Sequence, residues 1–278
     1  MVSQDDYEPS SEQLQQFREN LEEIEIFLGR NFDSQPGLDM VPEEVEVPFA
    51  GKYASKGHNI VLNPAGVDYD DYFIDEDRLE QSELDKGRVA EGLESLKSKT
   101  EEDVRYEELS HAMMAEELGV SEPQFGREDL SPEDFLTDPL KEEAPVYIVE
   151  GFADFCRSYL SDTMSWRDTE NILGFLMENN KLSEGPVSIE VRDSAETYVG
   201  HLFFRSYNGE NSLEDTLSVA FENPREHGDL REVVETVENG NLDYDEDTWK
   251  FAKELLEETP EEDRGLERLI ETVKSTMK

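Results

Sequence analysis

The chain has 278 residues, of which 70 are Asp or Glu and 25 are Lys or Arg, a formal net charge of −45. Charge of that sign and size argues against a nucleic-acid backbone or an anionic membrane surface as partner, since each approach is repulsive. One cysteine, Cys156, rules out a disulfide framework and a thiolate metal cluster, and no run reaches the roughly 18 apolar residues of a spanning helix.

The acids occupy nearly every segment, so they read as an adapted surface and not as one acidic tail. Self-repulsion of this kind is tolerable where salt shortens the Debye length to roughly 3 Å, as at 1 M. The expected setting is therefore a high-salt cytoplasm, such as that of halophilic archaea or the cell in which their viruses multiply. The first residues, MVSQDDYEPSSEQ, lack a basic and hydrophobic leader. Hydrophobic residues make up 36% of the chain and fall in periodic runs, enough for one domain over residues 12–278 behind a frayed acidic tail, 1–11.

In chain order, Glu12–Gly29 carries Leu14, Phe17, Leu21, Ile24 and Leu28 at helical spacing. Asn31–Pro42 reads as a link punctuated by Pro and Gly. Glu44–Tyr53 alternates like a strand, Gly57–Pro64 (GHNIVLNP) reads as a second, and 65–80 is a loop rich in Asp and Tyr. His58, at the start of the second strand, is expected to be structural. Leu84–Leu96 is a helix leading into Thr100–Gly119, TEEDVRYEELSHAMMAEELG. Here Thr100 is the N-cap, acids fill the first turn, and Gly119 is the C′ residue. Val104, Glu108, His111, Ala115 and Leu118 share one face, with Glu107 beside it.

A further helix is expected at Ser131-Pro132-Glu133-Asp134, and a deeply buried one over Glu142–Leu160, with Cys156 in its core. Glu150 and Asp154 lie four apart within that helix, on a single side. Trp166–Asn179 is helical, Gly185–Val191 is a short strand or extended link, and Asp193 is expected to cap a helix ending near Tyr207. Ser212–Phe221 is a short helix. Asp229, Asp245 and Thr259 read as caps of three last helices. The fold class is α+β and mostly helical: sheet and capped helix over about 12–119, a helical lobe over about 130–278.

Carboxylates and an imidazole on a buried face need a compensating partner, and a metal ion is one. Glu107, His111 and Glu150 supply two oxygens and a nitrogen, two from one helix and one from a neighbour, as an open zinc site requires. Glu108 then stands beside the metal as general base for a bound water, and Asp154 behind it. The bland alternative is that these acids are solvated or paired with Arg or Lys.

Glu107-Glu108-Leu109-Ser110-His111 resembles the HExxH motif of gluzincin metallopeptidases, with glutamate in place of the first histidine. Val149-Glu150-Gly151-Phe152-Ala153-Asp154 resembles that family's third-ligand helix, and GHNIVLNP its strand before the motif helix. Tyr198-Val199-Gly200-His201-Leu202-Phe203 and Ala220-Phe221-Glu222-Asn223-Pro224 resemble a downstream helical segment. The resemblance covers about 44–225. It implies a zincin-like fold with a small N-terminal sheet, a motif helix and a helical C-terminal lobe. It also implies a peptide or protein substrate and one divalent metal, zinc or, with so many carboxylates, manganese. Carried over by position, His111 and Glu150 are ligands with Glu107, Glu108 is the base, and Tyr198 or His201 steadies the oxyanion. His227 is an outside candidate. Because the first histidine is replaced, a catalytically inactive pseudopeptidase, acting as a binding or structural module, is the alternative.

Overall fold

The computed structural model describes residues 9–41, 50–55, 57–63, 84–121, 139–181, 187–222 and 224–258. The helix expected at Ser131, the loop over 65–80 and the helix opened by Thr259 lie outside them, as does most of the strand expected over Glu44–Tyr53.

Helix α1, Ser11–Leu28, starts in a capping box in which Ser10 and Gln13 satisfy each other's backbone N–H groups. It stops at Gly29, whose φ of 63° belongs to the left-handed region that glycine enters without cost. Three short strands follow: β1 (Gly37–Met40), β2 (Gly51–Ala54) and β3 (Asn59–Leu62). They form one sheet in the order β1-β3-β2, with β1 parallel and β2 antiparallel to β3. Strand β1 lies inside the segment expected to be a link. Between β2 and β3, His58 is buried with a positive φ of 50°, its Nδ1 2.8 Å from the Tyr53 hydroxyl and its Nε2 2.6 Å from the Ser34 carbonyl. Burial pushes its pKa down, against the Ser34 bond and the nearby Glu116. The expectation of a structural role holds.

Helix α2, Lys86–Ser98, precedes α3, Glu101–Glu117. Thr100 is the N-cap of α3 as expected, here in a capping box with Asp103, and Gly119 has a φ of 71°. Asp103 also accepts hydrogen bonds from the Ser161 and Thr163 hydroxyls, which ties the start of α3 to the turn after α5. Residues on nearly every side of α3 are buried because it is surrounded by α1, the sheet and α5.

The long buried helix expected from Glu142 is two pieces. A single turn, α4 (Pro139–Glu143), is followed by α5 (Val146–Leu160), with Pro145 as the N-cap residue. Proline has no N–H to donate and suits a helix start, which places the break there. Then come α6 (Trp166–Asn180), α7 (Ile189–Glu210), α8 (Leu213–Phe221), α9 (Leu230–Asn239) and α10 (Glu246–Glu258). The cap of helix α7 lies five residues before the expected Asp193. Ser188 is its N-cap, and Gly209 lies inside it. Asp229 caps α9 as expected, and Asp245 accepts the Thr248 N–H at 2.8 Å ahead of α10.

Helix α7 is the hub, packed on α5, α6, α9 and α10. Its closest approach is to α5, where Gly200 faces Gly151. A Cβ on Gly200 would come within 1.7 Å of the Tyr147 carbonyl oxygen. That crossing fixes α5 against α7. The apolar core is continuous from Phe17 in α1 to Leu256 in α10, and Cys156 is buried in it as expected. The described residues are thus mostly helical with a small sheet. Among the described residues, no helix is long and apolar enough to cross a membrane.

Candidate functional site

Helices α3 and α5 pack side by side and form the floor of a cleft of about 350 Å³. From α3 come Glu107, Glu108 and His111; from α5 come Glu150, Asp154 and Arg157. One wall is apolar, with Leu96 of α2, Met164, and Ile172 and Leu176 of α6. The first turns of α7 contribute Glu190, Asp193 and Ser194 to the lining. Sequence spacing therefore did bring five of the named side chains into one cavity.

Their pairing differs from the expectation. His111 lies between two carboxylates, its Nδ1 3.5 Å from Glu108 Oε2 and its Nε2 3.6 Å from Glu150 Oε2. The second separation is close to the roughly 3.3 Å expected of two atoms bound to one zinc ion at about 2 Å each. Glu108 is anchored from the sheet, accepting the Tyr53 backbone N–H of β2 at 2.5 Å. Glu150 also meets Lys141, with Nζ 2.6 Å from Oε1.

Glu107 is held by two fixed cations. Lys99 Nζ donates to its Oε2 at 2.6 Å, and Arg157 Nε lies 3.1 Å from its Oε1. Burial pushes the pKa of Glu107 up, and Lys99 and Arg157 pull against that shift without cancelling it. The Arg157 side chain has no exposed surface. Its Nε donates to Asp154 Oδ1 at 3.0 Å, and its Nη2 bonds to the same oxygen and to Thr169 Oγ1 at 3.1 Å. Asp154 further accepts the Thr169 hydroxyl at 2.8 Å and lies 2.6 Å from His201 Nδ1. Burial raises the Asp154 pKa, but Arg157 and then His201 outweigh it and hold the carboxyl well below the usual range. The Arg157 guanidinium is held strongly charged: burial lowers its pKa, and Asp154 and Glu107 more than reverse that.

These contacts decide the fit of a divalent metal. A third ligand would have to come from Glu107, and both of its oxygens already face cations that belong to the fold. Among the described residues, no three His, Cys, Asp or Glu side chains converge as a metal requires. The residues present do not fit a three-ligand centre.

Comparison of the chain with protein-family models, curated proteins and solved structures finds no match.

Tyr198 and His201 do not stand where an oxyanion would form. The Tyr198 hydroxyl donates to Glu170 Oε2 on α6 at 2.6 Å, and burial followed by the Glu170 charge pushes its pKa up. His201 is fully buried behind Asp154. Neither lines the cleft. Asp154 sits one turn beyond Glu150 as expected, but it faces Arg157 and His201. His227 lies with its ring 6.2 Å from that of Tyr207, away from the cleft. The residues that spacing did not single out are Lys99 and Arg157. The signal for Arg157 was present as an Asp154–Arg157 i, i+3 pair on a buried helix; Lys99, just before the Thr100 cap, carried none.

Proposed function

We propose that this chain is a non-hydrolytic module on a metallopeptidase-like scaffold, with a cleft that holds a peptide ligand without a catalytic metal. The observation that carries the reading is the double engagement of Glu107 by Lys99 and Arg157. Those cations supply, from within the chain, the charge compensation a divalent ion would give to buried carboxylates. The scaffold likeness rests on a small sheet against a capped helix bearing Glu107-Glu108-x-x-His111, crossed by a second helix bearing Glu150 and Asp154. A zincin-like topology is part of this proposal.

The competing reading, a metal-dependent peptidase with Glu108 as its base, draws on the 3.6 Å spacing of His111 Nε2 and Glu150 Oε2. It requires Glu107 to leave both cations. The two readings separate in a proteolysis assay in molar KCl, using unfolded casein with added zinc or manganese. No cleavage above a metal-free control is expected. Cleavage that needs the added ion and disappears in Glu108→Gln would overturn the non-hydrolytic reading.

A further inference from the structure

Acids outnumber bases 70 to 25, and Arg30, Arg88, Arg105, Arg157 and Arg167 each meet a carboxylate. Arg205, late in α7, does not. It is half-buried, yet among the described residues it forms no hydrogen bond and no ion pair. Its guanidinium carbon lies over the indole of Trp166, 4.1 Å from the ring centroid, at the start of α6. Arg167 lies over the same ring at 4.4 Å, but it is paired with Asp243 at 2.6 Å. Glu170, whose charge acts on Arg205, already accepts the Tyr198 hydroxyl and the Asp245 N–H and faces Arg167. An indole face recovers only part of the cost of a half-desolvated charge, and burial holds the Arg205 pKa below its ordinary value. Of its three nitrogens, Nη1 is buried without a partner, so Nε and Nη2 are the ones a ligand reaches.

Tyr159, at the end of α5, adjoins Arg205: its hydroxyl accepts from Asn208 Nδ2 at 3.4 Å, one turn along α7. Its side chain is 54% exposed, and Phe27 of α1 is stacked on its ring at 5.6 Å. Trp, Tyr and Arg are the residue types that carry most binding energy at protein interfaces. None of Tyr159, Trp166, Arg205 or Asn208 lines the cleft. We propose that they form a second binding surface, separate from the cleft, that docks an acidic peptide segment with a glutamate or aspartate beside apolar side chains. The carboxylate accepts from Nε and Nη2 of Arg205, and its apolar neighbours cover Tyr159 and Phe27. Charge complementarity selects this occupant. One guanidinium lacks an acid, and a single carboxylate satisfies it through two parallel bonds. A phosphate would bring a second charge close to Glu170 and Asp243, where Arg167 is already engaged.

A net charge of −45 repels an acidic peptide at low ionic strength, so the test is calorimetric titration in about 1 M KCl. The probes are short N-acetylated, C-amidated peptides with glutamate, glutamine or phosphoserine between two leucines. The glutamate peptide should bind at least about threefold more tightly than either of the others. Arg205→Gln should bring the glutamate peptide down to the glutamine affinity. Tyr159→Ala, at an exposed position, should weaken the glutamate and glutamine peptides alike and leave their ratio. Equal affinity for those two, no binding of any peptide, or a preference that survives Arg205→Gln, as binding in the cleft would give, overturns the proposal. Tighter binding of the phosphoserine peptide overturns the carboxylate ligand, and full affinity in Tyr159→Ala overturns the apolar contact. The two tryptophans, Trp166 and Trp249, supply a readout that needs no variant. The indole N–H resonance of Trp166 should move with the glutamate peptide, and that of the buried Trp249 should not. No shift at Trp166 overturns the surface. The non-hydrolytic reading of the cleft is decided by the casein assay and is touched by none of these results.

Discussion

Replacing Arg157 by methionine should be among the most damaging single changes in the cleft. The guanidinium serves two carboxylates, Glu107 and Asp154, and a hydroxyl, Thr169, from a side chain with no exposed surface. Methionine keeps much of the volume, so the loss is electrostatic and not a cavity. Removing one partner of a buried pair costs about 3–5 kcal/mol, and a cation shared by two acids belongs at the upper end, about 4–5 kcal/mol. At about 2–4 °C per kcal/mol for a domain of this size, the melting temperature should fall by about 10 °C or more. The sign of the pH dependence follows from the carboxyls. Wild-type Asp154 is held below the usual range, so its stabilisation is present above the unfolded pKa of about 3.9 and is lost as pH falls through the folded value. Glu107 is already shifted up, so it opposes folding once pH rises through its unfolded value of about 4.3. Without Arg157 both carboxyls shift up, Glu107 further from its ordinary value and Asp154 back from its depressed one. The variant should therefore be most destabilised near neutral pH, and the gap to wild type should narrow on acidification towards about pH 4. Urea unfolding in molar KCl across that range measures it. A loss under about 1 kcal/mol, or a gap constant with pH, would refute the claim that Arg157 compensates these acids.

Three further outcomes test other parts of the structure. Ser188→Ala should cost about 1 kcal/mol by chemical denaturation, and Asp193→Ala much less, because Ser188 caps α7 and Asp193 lies within it. Gly200→Ala should cost about 3 kcal/mol or prevent folding, since the added methyl meets the Tyr147 carbonyl and two helix backbones must part; a near-neutral result would contradict the α5–α7 crossing. With a net charge of −45, circular dichroism should show cooperative structure in molar KCl and its loss on dialysis to low salt. Undiminished structure at low salt would contradict the high-salt setting.

What the sequence could convey follows the range of each signal. Caps act within four residues, so Thr100 with Asp103, Ser212 with Asp215 and Asp229 mark their helices correctly. Asp193 misleads because an aspartate near a helix start looks like a cap wherever it stands, while Ser188, next to a proline-containing segment, looks like a link. Strand β1 escapes notice because four residues behind Pro36 hold too little alternation, and its strand character comes from pairing with β3. Within the cleft, spacing along α3 and α5 places Glu107, Glu108, His111, Glu150 and Asp154 together, since helical periodicity and a shared interface are enough. Periodicity says nothing about which counter-charge answers a buried acid. Lys99 and Arg157 reach Glu107 across tertiary contacts, and Tyr198 turns to Glu170 for the same reason.

The central claim is that internal cations, and not a divalent ion, compensate the buried carboxylates Glu107 and Asp154. Equilibrium dialysis of wild-type protein against zinc and against manganese in molar KCl, followed by elemental analysis, tests it most directly. The account predicts substoichiometric metal, unchanged in His111→Ala and Glu150→Ala. One ion per chain, lost in both variants, would contradict it.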